Sequence, residues 1–497
     1  MYSLGFDIGS SSVKAALLDV ENGKIVGTSQ YPETEMPISA PKSGWAEQEP
    51  EDWWNSIKTA SAILKKKLPD EWNEVKAIGI TYQMHGLVLV DEKQQVLRPS
   101  IIWCDSRAIE IGQKACQELG EQFCLSNFLN SPGNFTASKL RWVQENEPEL
   151  YQRIHKIMLP GDYVAMKLSG FINTTVSGLS EGIMWNFTKG ELAYDLLKHW
   201  DIDPSIIPER KDTFSIQATV SKEASDELGI QMGVPITYRA GDQPNNAFSL
   251  NVLNPGEIAA TAGTSGVIYG ITDEPVYDPK SRVNTFVHVN HSLNDPRYGI
   301  LLCVNGTGIL NSWMRKNLFN GSKMTYHQMN EMAAQIKPGA EGLLIYPFGN
   351  GAERSLLNSN PGACIRGLSF NSHDQRHLLK AGQEGIVFAL NYGMDIMKEI
   401  GIRIYTVKAG NTNMFLSPVF QDAFVNTTEA QLILYDTDGA SGAARGAAKG
   451  AGIYSTFEEA FSSLQKIEQK DPDPKLSSVY QEKYGLWKNH LKQFLEN

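Results

Sequence analysis

Cysteine is scarce in this 497-residue chain, and its five cysteines are scattered without a Cys-x-x-Cys pair. This spacing matches neither a disulfide framework nor a structural zinc site, and it favours reduced thiols in a cytoplasmic protein. No apolar run approaches the length of a membrane span. Because a predicted strand begins almost at the first residue, we expect no secretory signal.

Positive charge is also in short supply. The chain has 45 Lys and Arg against 56 Asp and Glu, which gives a formal net charge of −11. An acidic chain repels phosphate backbones and anionic lipids unless a local basic patch compensates, and no such patch is visible. Nucleic acids and membrane surfaces are therefore not the expected partners, which leaves small molecules as the favoured ligands.

Two familiar phosphate-binding motifs, GxxxxGK[ST] and a GxGxxG that opens a helix, are missing. Two other glycine- and hydroxyl-rich turns occupy equivalent places in the two halves of the chain, at residues 7–14 and 261–266. Each lies between two β-type runs, so its backbone N–H groups and hydroxyls can surround one anion. The pair predicts a polyphosphate site in a cleft between two lobes, although each turn alone is also typical of an ordinary hairpin.

The local patterns predict two α/β domains, 1–250 and 251–497, with the boundary near the Asn254-Pro255-Gly256 turn. In the first domain we expect an opening β-meander, a helix from Pro50 to about Leu68 and a strand over 75–82. The second domain should repeat this logic with a strand–turn–strand over 258–271 and a long helix over 377–401. It should end in a tightly packed helix of small residues over 439–448.

Phosphoryl transfer requires a held phosphate chain, a cation and an oriented hydroxyl. Asp7, at the end of the first strand, can hold Mg²⁺ directly or through water, and Lys14 lies across the turn within reach of a terminal phosphate. Asp242 ends a strand of the first domain and can accept a hydroxyl proton as general base. The same spacing also suits a helix N-cap, so both roles for Asp242 remain open.

Two further segments carry side chains suited to a polyol. His85 can donate hydrogen bonds to a sugar hydroxyl or carbonyl, with Met84 as an apolar wall, although a single loop histidine is more often merely packed or solvated. Trp103 and Asp105 combine an aromatic face with a carboxylate beside Arg107. The alternative for Trp103 is an ordinary core position.

Taken together, these motifs resemble the FGGY carbohydrate kinases, within the actin/Hsp70/hexokinase-type ATPase superfamily. The resemblance runs from residue 5 to about residue 452. It rests on the segments at 5–10, 45–48, 53–54, 83–86, 103–107, 135–142, 241–242, 263–266 and 441–444. It implies two ribonuclease-H-like lobes around a deep cleft, with a sugar-binding first domain that carries the catalytic base and a nucleotide-binding second domain.

The resemblance also implies roles for individual residues. The sugar would contact Met84, His85, Trp103, Asp105, Asp242 and Gln243. ATP would contact Ser10, Ser11, Lys14, Gly263, Thr264, Gly308, Gly410 and Asn413. Mg²⁺ would be held by Asp7 and Asp242, with Asp242 as the catalytic base. The chain would be a cytoplasmic enzyme and a homodimer.

The Gln-Met-His-Gly and Trp-x-Glu-Gln segments look most like those of xylulokinases, which implies phosphorylation of D-xylulose to D-xylulose 5-phosphate. The Gly-Asp-Gln sequence at 241–243 is closer to the glycerol kinase version, and Lys408-Ala409 precedes Gly410 where a glycine pair is usual. A kinase for glycerol, ribulose or gluconate therefore stays open. So does a catalytically inactive sugar-binding protein. An actin- or chaperone-like nucleotide switch is disfavoured because no peptide-binding domain follows.

Overall fold

The computed structural model describes residues 1–319 and 324–496, so residues 320–323 and 497 of the predicted second domain lie outside the described residues. Over these ranges the strands are β1 (Tyr2–Ile8), β2 (Val13–Asp19), β3 (Lys24–Tyr31), β4 (Glu47–Gln48), β5 (Val75–Tyr82), β6 (Val88–Val90), β7 (Ser100–Ile101), β8 (Lys156–Met158), β9 (Asn173–Thr175), β10 (Trp185–Asn186), β11 (Glu191–Leu192), β12 (Glu209–Lys211), β13 (Phe214–Thr219), β14 (Pro235–Gly241), β15 (Glu257–Ala262), β16 (Gly266–Thr272), β17 (Asn284–Val287), β18 (Tyr298–Val304), β19 (Leu344–Phe348), β20 (Gly362–Arg366), β21 (Thr406–Gly410), β22 (Gln431–Tyr435) and β23 (Lys466–Lys470).

The helices over the same ranges are α1 (Pro50–Lys67), α2 (Pro69–Asn73), α3 (Ile109–Leu119), α4 (Glu121–Phe128), α5 (Thr136–Asn146), α6 (Pro148–Tyr151), α7 (Pro160–Ser169), α8 (Val176–Glu181), α9 (Tyr194–His199), α10 (Lys222–Leu228), α11 (Asp242–Ser249), α12 (Gly308–Leu318), α13 (Tyr326–Ala334), α14 (Gln375–Glu399), α15 (Pro418–Thr428), α16 (Gly439–Gly450), α17 (Phe457–Phe461) and α18 (Pro474–Glu496). Short 3₁₀ helices cover Pro204–Ile206, Ala340–Gly342, Glu353–Leu356 and Asn413–Leu416. Among the described residues, no helix combines the length and the apolar character that crossing a membrane requires.

The chain divides into two compact units, and neither is a single stretch of sequence. Unit 1 comprises Met1–Asn251, Phe286–Tyr298 and Thr437–Leu464. Unit 2 comprises Val252–Thr285, Gly299–Asp436 and Gln465–Asn497. The first boundary between the units follows Asn251, one residue after the boundary predicted at residue 250. A single boundary does not account for the two later segments, 286–298 and 437–464, that belong to unit 1. The sugar-binding and nucleotide-binding roles of the two domains stay predictions.

Unit 1 is built on a six-stranded sheet with the order β13-β14-β5-β1-β2-β3. The predicted meander is confirmed, because β1, β2 and β3 pair antiparallel in succession. Strands β5 and β14 then add in parallel beside β1. On one side, α1 begins at Pro50 as predicted and buries the indoles of Trp53 and Trp54 in the unit 1 core. The parallel strands leave their carboxyl ends at one edge of this sheet.

The small-residue helix α16 belongs to unit 1, which corrects its predicted place at the end of the second domain. Its backbone packs directly on two strands of unit 1. A Cβ atom on Gly5 would lie 2.1 Å from the Ala440 carbonyl oxygen, and one on Gly79 would lie 2.1 Å from the Ala443 oxygen. Glycine at both strand positions and small residues on the helix permit this approach. Sequence spacing along the second half could not show which sheet the helix would join.

Unit 2 contains a seven-stranded sheet with the order β17-β18-β16-β15-β21-β22-β23. Strands β15 and β16 pair antiparallel, whereas β21 pairs parallel to both β15 and β22. The long helix α14 begins and ends two residues before its predicted bounds of 377 and 401. It buries Ile386, Leu390 and Met397 in the unit 2 core. The C-terminal helix α18 completes this core with Trp487.

The predicted fold class is confirmed by the strand orders. In unit 1 the order is β3-β2-β1-β5-β14: three strands consecutive in sequence are followed by β5 and β14, which are parallel to β1. In unit 2 the order β18-β16-β15-β21-β22 repeats that arrangement. Both are the ribonuclease-H-like pattern that the sequence predicted for each half.

Candidate active site

Two carboxylates flank the central strand of the unit 1 sheet at its carboxyl edge. Asp7 is the penultimate residue of β1 and pairs with Thr81 of β5. Asp242 follows Gly241, which pairs with Tyr82 at the end of the same strand. Because all three strands are parallel, both carboxylates emerge at one edge of the sheet.

Burial and neighbouring negative charges raise the pKa values of both carboxylates. The pKa of Asp242 is raised from 3.8 to about 7, first by burial and then by the negative charge of Asp7, while the amide groups of Gln243 oppose the rise. The pKa of Asp7 is raised to about 6 by burial and by Asp438, against the opposing charge of Lys14. Carboxylates with raised pKa values beside one another are typical of proton transfer or cation binding.

Asp242 is not the N-cap of its helix. It is the first residue of α11, and the N-cap is Gly241, whose φ of −58° and ψ of 157° lie outside helical values. The capping role that the sequence left open is therefore not seen. A carboxylate in the first helical turn is nevertheless close to the positive end of the helix dipole, which favours its charged form.

A third carboxylate, not predicted, is near enough to Asp7 for its charge to raise the pKa of that residue. Asp438 caps α16 by accepting a hydrogen bond from the Ser441 N–H at 2.8 Å. The next residue, Gly439, packs on Asp7 so closely that a Cβ atom would lie 2.4 Å from Oδ2. The Asp-x-x-Ser capping pattern was the sequence signal for Asp438. Only the packing of α16 on β1 brings it to this edge.

The first phosphate-type loop is braced from outside through its carbonyl groups. The Gly9 N–H donates to the Ser12 carbonyl at 3.0 Å and closes the turn. The Ser10 carbonyl accepts from Nε2 of the buried Gln48 at 2.7 Å. Ser11 at the loop tip is exposed. Gln48 therefore supports this loop, a role that its sequence motif did not predict.

Met84 and His85 follow β5 at the same edge of the sheet. His85 has a left-handed backbone with φ of 60°. Its Nδ1 lies 2.9 Å from the Glu181 carbonyl oxygen. Because a carbonyl can only accept, Nδ1 carries a proton and donates it to this hydrogen bond. The predicted hydrogen bond from His85 to a sugar stays a prediction. Met84 is buried, and its Cγ would lie 2.6 Å from a Cβ on Gly241.

Glu181 is a buried acid that sequence reasoning missed. Its side chain is 1% exposed, and a Cβ on Gly241 would lie 2.4 Å from its Oε2. Its pKa is raised well above the usual value by burial and then by the charges of Asp242 and Asp162. The Tyr82 hydroxyl opposes that rise. A glutamate at the end of a short helix gives no sequence signal of this environment.

Trp103 and Asp105 are placed very differently. Trp103 is 49% exposed, so a core position is ruled out. Asp105 is fully buried, accepts the Ala46 N–H at 2.6 Å and pairs with Arg107 at 2.7 Å. The Arg107 guanidinium in turn stacks 3.8 Å from the ring centroid of Trp45. Direct sugar contact by Asp105 stays a prediction, and these bonds favour a supporting role.

The nucleotide candidates of unit 2 lie around the loop between β15 and β16. The Gly308 N–H donates to the Gly263 carbonyl at 2.7 Å, and a Cβ on Gly308 would lie 2.4 Å from that oxygen. The Ile309 N–H donates to the Thr264 carbonyl at 3.2 Å. The first turn of α12 is thus tied to the loop, which explains the requirement for glycine at 308.

The loop after β21 emerges beside the same turn, because β21 is parallel to β15. Gly410 is the last residue of β21. Asn413 has a left-handed φ of 53°, and its Nδ2 would lie 3.5 Å from a Cβ on Gly263. Unit 2 therefore brings all five of its predicted nucleotide residues to one edge of its sheet.

The carboxylates of unit 1 suit a magnesium ion better than a metal held by protein alone. No group of three or more His, Cys, Asp or Glu with metal-holding geometry occurs within residues 1–319 and 324–496. Mg²⁺ is usually bound through one or two carboxylates, with water and substrate phosphates completing its shell. The raised pKa values of Asp7 and Asp242 show two acids whose charges a cation would stabilise. The donor set fits that ion.

Comparison with known proteins gives the class. Residues 2–249 match the N-terminal domain of the FGGY family of carbohydrate kinases, and residues 258–452 match its C-terminal domain. The chain belongs to this family and is a carbohydrate kinase, a phosphotransferase that uses ATP.

Individual relatives are similar along their whole length. The xylulose kinase of Lactococcus lactis subsp. lactis is 28% identical over 501 residues, which cover 100% of this chain and 97% of the relative. The crystal structure of xylulose kinase from Rhodospirillum rubrum superimposes with a TM-score of 0.88 at 25% identity, covering 100% of both chains. Gluconate kinase from Lactobacillus acidophilus gives a TM-score of 0.89 at 21% identity, covering 99% of this chain and 98% of its own. Kinases of different substrates thus share this fold.

Proposed function

We propose that the chain transfers the γ-phosphoryl group of ATP to the terminal hydroxyl of a ketopentose, with D-xylulose as the first candidate. The product would be D-xylulose 5-phosphate. The observation that carries this proposal is the full-length similarity to xylulose kinases. The position of Met84, His85 and Asp242 at one edge of the unit 1 sheet supports it.

In this proposal Asp242 is the general base. Its carboxylate takes the proton of the attacking hydroxyl as that oxygen bonds to the γ-phosphorus. The bond from phosphorus to the β–γ bridging oxygen breaks at the same stage, and ADP leaves. A base with a pKa near 7 is well matched to this transfer at neutral pH. His85 and Met84 would orient the sugar.

The family resemblance implies the residues that would contact ATP. These are Ser10, Ser11, Lys14, Gly263, Thr264, Gly308, Gly410 and Asn413. Mg²⁺ would be held by Asp7 and Asp242 and would offset charge on the phosphates. Homodimer formation stays a prediction, which light scattering on a sizing column would test.

A kinase of glycerol, ribulose or gluconate is the second candidate. Gln243 favours it, because the Gly-Asp-Gln sequence at 241–243 is closer to the glycerol kinase version. A glutamine beside the base can also hydrogen-bond a substrate hydroxyl. Substrate choice would then follow from this residue rather than from the fold.

Coupled measurement of ADP release decides between these candidates. Purified protein with Mg-ATP is assayed against D-xylulose, L-xylulose, ribulose, glycerol and gluconate, beside a control without sugar. The Asp242→Asn variant serves as the matched inactive control. Strong turnover on D-xylulose alone supports the proposal, whereas turnover on another compound moves the assignment to the second candidate. Sugar binding without turnover would favour an inactive binding protein.

A further inference from the structure

A lysine ammonium lies wholly inside unit 1 and is bonded to two backbone carbonyls. Lys139 belongs to α5 and is 0% exposed. Its Nζ donates to the His85 carbonyl at 2.8 Å and to the Ile102 carbonyl at 2.9 Å. Burial lowers the pKa of Lys139 to about 7, and the charges of Asp105 and Cys104 oppose that change.

Such a lysine is costly to bury. Removing an ammonium from water without a directly bonded carboxylate carries a large penalty, and carbonyl oxygens recover only part of it. An aliphatic side chain of similar length would fill the space without that penalty. Packing alone therefore does not explain a lysine at position 139. The two carbonyls that accept from its ammonium group indicate another role.

Both acceptors belong to segments that carry sugar-binding candidates. One is His85 itself, and the other is Ile102, the residue directly before Trp103. Lys139 thus cross-links the turn after β5 to the segment after β7. No other side chain is needed to relate these two carbonyls, because one nitrogen atom bonds both.

The His85 turn requires such support. A φ of 60° is uncommon for a residue with a side chain and is retained where surrounding bonds enforce it. The Glu181 carbonyl fixes the His85 ring at Nδ1, while Lys139 fixes the His85 carbonyl. Phe135 packs on the ring edge at a centroid distance of 4.8 Å. Ring and backbone are therefore held by separate bonds.

We propose that Lys139 is a positioning residue that holds the His85 turn and the Trp103 segment at the separation required to bind the sugar. This inference rests on the sugar kinase function proposed above. Lys139 acts through the two backbone carbonyls and does not itself touch substrate. Its loss should weaken sugar binding while leaving the nucleotide residues of unit 2 unaffected.

The test compares Lys139→Met with Lys139→Arg and with a control on the same helix. Arg141→Met removes a cation that is partly exposed and paired with Glu145, so it changes α5 without touching the cross-link. For Lys139→Met we expect KM for the sugar to rise about 10- to 100-fold, the scale expected of a misplaced binding group. KM for ATP should stay within about twofold. Lys139→Arg, which keeps the donors, should recover part of the sugar affinity, and Arg141→Met should match wild type.

Hydrogen–deuterium exchange supplies a readout that needs no substrate. In Lys139→Met, peptides covering residues 83–88 and 101–104 should exchange faster, with peptides of unit 2 unchanged. If Lys139→Met does not fold, Lys139→Gln retains one donor group and takes its place in both measurements. Unchanged exchange in these two segments, or an unchanged KM for the sugar, overturns the positioning role.

The outcomes separate this inference from the proposed function. Sugar affinity is also measured by isothermal titration calorimetry, so a protein that binds without turnover still tests the inference. Wild-type turnover with normal sugar affinity in Lys139→Met refutes only the positioning role. If the wild type binds the sugar without turnover and Lys139→Met loses sugar affinity, only the kinase function is refuted. Absence of sugar binding by the wild type overturns both.

Discussion

Replacing Asp242 by asparagine should make the folded chain more stable and nearly inactive, because both effects arise from one buried charge. The pKa of Asp242 is raised from 3.8 to about 7 in the folded state. Each unit of that difference corresponds to about 1.4 kcal/mol. The full penalty for ionisation is therefore about 4 kcal/mol, and solvent around this half-buried side chain reduces it to about 2–3 kcal/mol.

The sign of the pH dependence follows from linkage. An acid whose folded pKa is raised destabilises the fold once the unfolded chain ionises, so the penalty is absent below about pH 4. It grows as the pH rises to about 7 and is constant above that. Asp242→Asn should thus gain most stability at pH 8 and about a third as much at pH 5.

Thermal unfolding without metal or nucleotide measures this effect. At about 2–4 °C per kcal/mol, Asp242→Asn should unfold about 4–12 °C above wild type at pH 8. Asp226→Asn, which changes an exposed aspartate of unit 1, should leave the midpoint unchanged. In the kinase assay Asp242→Asn should lose about 10²- to 10⁴-fold in kcat. A lower midpoint at pH 8 would refute the electrostatic reasoning, and near-wild-type kcat would refute the base.

Three further changes test other parts of the structure. Glu181→Gln should raise the unfolding midpoint more at pH 8 than at pH 5, since burial raises the pKa of this acid and its ionised form is penalised at higher pH; equal shifts at both values would contradict this. Asp105→Asn should cost about 1.5–3 kcal/mol in chemical unfolding, because it removes one of the two carboxylates, Asp105 and Glu47, that pair with the buried Arg107, whereas an unchanged stability with a raised sugar KM would indicate direct sugar contact. Gly439→Ala should displace the Asp7 carboxylate, which lies 2.4 Å from the new Cβ, and should lower kcat at least tenfold, while Gly485→Ala, which meets nothing within 4 Å, serves as the control and should retain full activity.

Much of the local structure could be predicted from the sequence. The strand β5 has the predicted bounds, and α1 begins at the predicted proline. The two hydroxyl-rich turns join antiparallel strands as expected. These features depend on alternation, helical spacing and turn residues within short windows, and such windows contain the information that determines them.

The partners of buried polar groups could not be predicted in this way. Lys139 and Glu181 look like ordinary members of helices, yet each is enclosed by residues distant in sequence. The proton position on His85 likewise depends on a carbonyl 96 residues further along the chain. A sequence window reports the character of a side chain but not which groups surround it.

The sequence by itself determined the two phosphate-type turns, the residues of the carbohydrate kinase motifs and the alternation of elements in each half. Only the tertiary structure decided that α16 joins unit 1. There the Ser3 hydroxyl donates to the Ala444 carbonyl across 441 residues, and Gly439 packs on Asp7. The physical reason is that local periodicity selects the face a helix buries, whereas the sheet it covers depends on complementary shapes that meet only in the folded chain.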